Sequence, residues 1–197
     1  MRSILLAGFV ALTAVAAIAP AHAQATGGIS ITHGGGNVNV ARGAFSQADQ
    51  SATTLGGVAG RHGLAIINGG NNRNVASGAF SFAGQDTTTI GGTALGRGRV
   101  ITNGGQNNNF ARGFGSSATQ SSLTVGGSAF GHGRSVTNGG MNTNLAAGAF
   151  SSADQQVVTL GGAAGRHGLN LTSGGGNTNK ALGFGSSASQ QVFTGAQ

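Results

Sequence analysis

The sequence predicts an all-β protein, a β-solenoid of five stacked 35-residue repeats. Three observations carry that prediction: an internal repeat without gaps, invariant columns spaced by two, and glycines at fixed intervals. At a period of 35, the segments GGGNVNVA (34–41), GGNNRNVA (69–76), GGQNNNFA (104–111), GGMNTNLA (139–146) and GGGNTNKA (174–181) superpose. So do their continuations GAFSQADQ, GAFSFAGQ, GFGSSATQ, GAFSSADQ and GFGSSASQ. A spacing of two is the side-chain period of a strand, whereas a helix face recurs every three to four residues.

The chain opens with Met1-Arg2, an apolar stretch from Ile4 to Ile18, and Ala21-His22-Ala23. This is the pattern of a secretory signal peptide, so residues 1–23 are expected to be removed and the mature chain to be secreted, extracellular or at the cell surface. No later segment approaches the ~20 apolar residues of a membrane-spanning helix, so no transmembrane segment is expected. Residues 24–197 read as a single repeat domain with repeats at 29–63, 64–98, 99–133, 134–168 and 169–197. These 174 residues fall one short of five full repeats, which leaves nothing for a dedicated cap.

Within the repeat, the first strand contains an aliphatic column, Ile31, Ile66, Ile101, Val136 and Leu171. A glycine pair marks a corner, and the second strand follows with two asparagine columns. These are Asn37, Asn72, Asn107, Asn142 and Asn177, then Asn39, Asn74, Asn109, Asn144 and Asn179. Beyond Ala41 the parity of the fixed columns changes from odd to even, which requires a bend at Gly43-Ala44-Phe45. The third strand carries a serine column (Ser46, Ser81, Ser116, Ser151, Ser186), a glutamine column (Gln50, Gln85, Gln120, Gln155, Gln190) and a threonine column (Thr54, Thr89, Thr124, Thr159, Thr194). Glycines at 56–57 and 63 mark further corners. Stacking at ~4.8 Å per rung gives a column of roughly 24 Å, in which Asn, Gln, Ser and Thr are expected to bond to their equivalents as ladders. Whether the repeat forms one coil or two is left open by the spacing of the glycines.

Composition excludes several functions. Cysteine is absent, so neither a disulfide framework nor a thiolate metal site holds the chain together. Beyond residue 23 there are three Asp, no Glu and four His, too few to converge on an acid–base pocket, and no catalytic residue or enzyme activity is expected. His62, Arg97, His132 and His167 form one column and read as a basic edge; Arg97 interrupts the imidazoles, so neither a metal nor another cofactor is expected there. Nine Lys/Arg against three Asp in residues 24–197 favour acidic polysaccharide or a cell surface as a partner. No aromatic platform or groove-reading helix points to specific nucleic-acid binding. The Thr54 column, with Thr102, Thr137 and Thr172 read as outward-facing, invites comparison with flat ice-binding faces.

The segment G-x-N-x-N-x-A, followed by Ser46 and Gln50, resembles the repeats of curlins, the secreted subunits of curli amyloid fibres. The repeat is longer than the curlin one, and Phe45 stands where that pattern has Gln. A more local likeness links A-R-G-A-F-S-Q-A (41–48) to the β-roll heads of trimeric autotransporter adhesins. The first resemblance implies a structural protein that self-assembles head to tail into extracellular fibres of a biofilm or surface matrix. The second implies a cell-surface adhesin or ligand-binding roll, and the threonines a more remote ice-binding role. An uncapped end exposes backbone donors, and Ser189 in the last strand is expected to supply one of them.

Overall fold

A computed structural model describes residues 13–16, 24–25 and 28–196; the rest of the expected signal peptide, 1–12 and 17–23, lies outside the described residues. Every described element is a strand, and all pairing is parallel. Each 35-residue repeat contributes up to four strands. In the first repeat these are Ile29–His33, Gly36–Arg42, Gln47–Leu55 and Val58–Ala59. Their equivalents stack into four sheets, here I to IV in that order, with five strands in sheets I and II.

Pairing within the repeats advances by 35 residues in every sheet: Ile29 faces Leu64, Asn37 faces Asn72, Gln50 faces Gln85 and Val58 faces Thr93. Each repeat is therefore one coil, which decides between the two windings that the glycine spacing allows. The coil is flattened into two walls. Sheets I and II form one, sheets III and IV the other, and side chains of sheet II reach carbonyls of sheet III across the interior, as in Asn109 Nδ2 to Ala83 O at 2.9 Å.

The parity switch falls at 43–46, where the chain leaves sheet II for sheet III. Gly43 has φ +122° and Phe45 φ +58°, so the corner reverses direction with two positive-φ residues on either side of Ala44. Between sheets I and II the turn rests on Gly34, where a Cβ would collide with the Thr54 hydroxyl and the backbone of Gly70. That close approach holds the walls together and excludes any larger residue.

The interior is narrow and mostly polar. Beside the Gly43 corner, alanines of sheets II and III face each other as one fully buried cluster, from Ala41 and Ala48 to Ala146 and Ala153. A second cluster joins sheets I and IV through Ala59, Ala65, Ile67, Ala94, Val100 and Ala129. Between them the space is filled by Asn, Gln and Thr. On sheet I the inward positions are mixed, apolar at Ala65, Ile67 and Val100 and polar elsewhere. Ile31 is half exposed and Leu171 is exposed, while Ser30, Ser135, Thr32, Thr102 and Thr137 are buried.

Candidate assembly interface

The first asparagine column forms a continuous ladder. Asn37 donates to Asn72, Asn72 to Asn107, Asn107 to Asn142 and Asn142 to Asn177, at 2.7 to 2.9 Å. The second column also ladders, with Asn74 to Asn109 at 3.1 Å, Asn109 to Asn144 at 3.0 Å and Asn144 to Asn179 at 3.1 Å. Its amides also bridge the walls: Asn109 Nδ2 lies 2.8 Å from Thr119 O, and Asn144 Nδ2 lies 2.9 Å from Ala118 O and from Asp154 O. Buried amides thus meet both the next rung and the facing strand, as burial demands.

Glutamines on the opposite wall ladder the other way. Gln85 donates to Gln50 at 3.0 Å, Gln120 to Gln85 at 2.8 Å, Gln155 to Gln120 at 2.5 Å and Gln190 to Gln155 at 2.6 Å. The two ladders have opposite donor polarity, so each end of the stack offers donors on one wall and acceptors on the other. A third ladder, not singled out from the sequence, runs outside sheet I from Asn138 to Asn103 to Asn68 at 2.8 and 2.7 Å. Its signal was the Asn-Gly-Gly recurring at 68, 103 and 138, read there only as a turn.

Serine and threonine depart from the expected ladders. The serine column is buried in its first four members, but it fastens the corner: Ser116 and Ser151 donate to Gly113 O at 2.9 and 3.2 Å, and Ser186 to Gly148 O at 2.9 Å. Thr54, Thr89, Thr124 and Thr159 point inward against the glycine turns. Thr102 and Thr137 are fully buried, not outward, so the columns invoked for an ice-binding face lie inside the molecule. Sequence patterning misplaced them because the aliphatic Ile31 column beside them looked like core, whereas that column stands on the outer face of the strand.

His62, Arg97, His132 and His167 do form one exposed edge, at the corner between sheets IV and I, and the rings of His132 and His167 stack at 5.4 Å. On the Gly43 corner, Phe45, Phe80, Phe114, Phe150 and Phe184 make an exposed aromatic ladder with ring centroids 5.4 to 5.7 Å apart. The one-residue shift of Phe114 and Phe184 has a backbone cause. The third corner position takes positive φ in every coil, and it is filled by Phe45, Phe80 and Phe150 or by Gly115 and Gly185. Among the described residues, no three His, Cys, Asp or Glu side chains gather as a metal ion would require, and no helix is long and apolar enough to cross a membrane.

The two ends of the stack differ. The last coil is uncovered, and Ser187 to Val192 are exposed on both faces of their strand. At the other end Gln24–Ala25 pairs with Val58–Ala59, and Thr13–Ala16 lies along Gln47–Gln50, both offset by 34 residues. The Gln50 side chain is buried, yet its Nε2 has no hydrogen-bond partner. Backbone pairing sets Ala16 beside it, and alanine has no amide with which to extend the ladder. The first rung therefore presents an unanswered donor and the last rung an uncovered strand bearing its acceptor, Gln190. No protein-family model, no curated protein and no solved structure matches the chain.

Proposed function

We propose that the chain is a secreted structural subunit that stacks head to tail into extracellular fibres, of the kind that curlin-like repeats build in a biofilm or surface matrix. The observation that carries this reading is the glutamine ladder, whose first member, Gln50, has an Nε2 donor without a partner and whose last member, Gln190, lies on an uncovered strand. In the chain from Gln24 onward the strand edge beside Gln50 is open, and docking of the next copy adds the missing ladder bond, a net gain of about 0.5–1.5 kcal/mol, beside a row of backbone bonds. The same column types occur in first and last coils, so the ends are self-complementary, and such head-to-tail contacts propagate without closing. The role is structural, not catalytic.

The test is assembly of the chain from Gln24 onward, at micromolar concentration. The expected products are unbranched, thioflavin-binding fibres with a ~4.8 Å meridional reflection. A monodisperse monomer persisting for days would overturn the reading and favour the adhesin-like alternative. The burial of Thr102 and Thr137 removes the support for an ice-binding role.

A further inference from the structure

Charge is sorted by wall. Among the described residues, Asp49, Asp86 and Asp154 all stand on the outside of sheet III. Arg42, Arg73, Arg112 and Lys180 stand on the outside of sheet II, and Arg99 and Arg134 begin strands of the adjoining sheet I. Among the described residues, the wall made by sheets I and II carries no carboxylate side chain to pair with its cations.

Three of these cations surround one recess. Arg42 and Arg112 flank Ser77 in the same column, one rung to either side, and Arg73 lies on the strand of Ser77 itself. Their side chains line a cavity of about 320 Å³ together with Val75, Ser77 and Phe110. Small Ser77 between two long arginines makes the depression, Val75 and Phe110 give it an apolar side, and the guanidiniums present forked donors suited to phosphate. The same wall exposes apolar residues: Val38 is 70% exposed, Ile29 65% and Met141 59%.

We propose that this wall is a docking surface for an anionic lipid bilayer, with the Arg42–Arg73–Arg112 recess taking a headgroup phosphate and the neighbouring aliphatics settling at the headgroup boundary. A lipid surface satisfies both features at once, since interfacial binding combines buried apolar area with attraction to anionic lipid. An acidic polysaccharide would answer the arginines but leave the aliphatics in water. A second copy meeting wall to wall would bring like charges together. The inference does not depend on the fibre reading, because the recess lies within three adjacent coils of one chain.

Flotation with lipid vesicles tests it, using the chain from Gln24 onward so that the apolar residues 4–18 contribute nothing. Freshly purified chain is expected to float with vesicles containing phosphatidylglycerol and to stay at the bottom with phosphatidylcholine alone. The triple variant Arg42→Gln, Arg73→Gln, Arg112→Gln should lose about two orders of magnitude in affinity. Removing the same charge from the corner, by Arg61→Gln, Arg97→Gln, Arg166→Gln, should cost only a few-fold. All six side chains are exposed, and unchanged circular dichroism in both variants establishes that neither is misfolded. Equal loss in the two triples, equal flotation with both lipids, or binding to soluble heparin without flotation would each overturn the proposal.

Discussion

At the scale of single residues, interior and surface are distinguished by hydrogen bonding more than by polarity. Asn109 is fully buried, with its amide nitrogen within reach of Ala83 O, Thr119 O and Asn144 Oδ1, while its neighbour Asn108 faces outward. Asn109→Leu is thus expected to strand carbonyls on two rungs and destabilise the chain by ~1–3 kcal/mol, whereas Asn108→Ser should change stability by less than ~0.5 kcal/mol. Denaturation midpoints of the two variants, compared at equal slope, check this; equal effects would reverse the assignment of faces. Those faces were legible in the sequence at the asparagine and glutamine columns, because a side chain that bonds to its own equivalent must recur without substitution. They were not legible on sheet I. There Ile31 recurs as an aliphatic and Thr32 is replaced by Ile67 in the next coil, so hydrophobicity marked the wrong side of the strand.

At the scale of the element, the Gly43 corner combines backbone strain with ring stacking. Phe80 has φ +55°, a left-handed conformation that costs a residue with a side chain roughly 1–2 kcal/mol, and its ring stacks on Phe45 at 5.4 Å. The third and fifth coils show how both demands are met: glycine takes the strained position, as Gly115 does at φ +63°, and phenylalanine moves one residue earlier while keeping the ladder at 5.5 Å. Transplanting that arrangement as Ala79→Phe with Phe80→Gly is therefore expected to preserve the stack and raise stability by about 1 kcal/mol. The reverse change at one site, Gly115→Ala, places a Cβ at positive φ and within 2.8 Å of the Phe80 ring, and should lower stability by ~1–2 kcal/mol. Thermal unfolding of both variants reads out the two signs. The shift of phenylalanine between coils was visible in the sequence, but its cause was not, since φ is a property of the corner.

At the scale of the whole molecule, assembly is decided by which groups the two ends leave open. Thr13–Ala16 occupies the edge of the Gln47–Leu55 strand, so the chain carrying its first 23 residues has one blocked end and is expected to elongate more slowly than the chain from Gln24 onward. Within the latter, Gln190→Ala deletes the acceptor awaiting Gln50 of the next copy and should raise the concentration of unassembled chain at steady state about 3- to 10-fold, while outward Gln191→Ala leaves it unchanged. Proline separates edge from interior in the same strand. Ser187 N donates back to Ser151 O, and in a parallel ladder alternate residues bond to the same neighbour, so Ser189 also faces the preceding coil. Ser189 is therefore not the edge donor that its place in the last strand suggested; the open donors belong to the alternate positions, Ala188, Gln190 and Val192. Val192→Pro should leave the folded chain nearly as stable as before and halt growth at that end, because an edge strand tolerates proline where its N–H faces solvent. Ser189→Pro should instead destabilise the last coil by breaking a bond already made within the chain. Seeded elongation rates beside denaturation curves distinguish the two, and a Val192→Pro chain that elongates at the unsubstituted rate would show that growth does not proceed from the last coil.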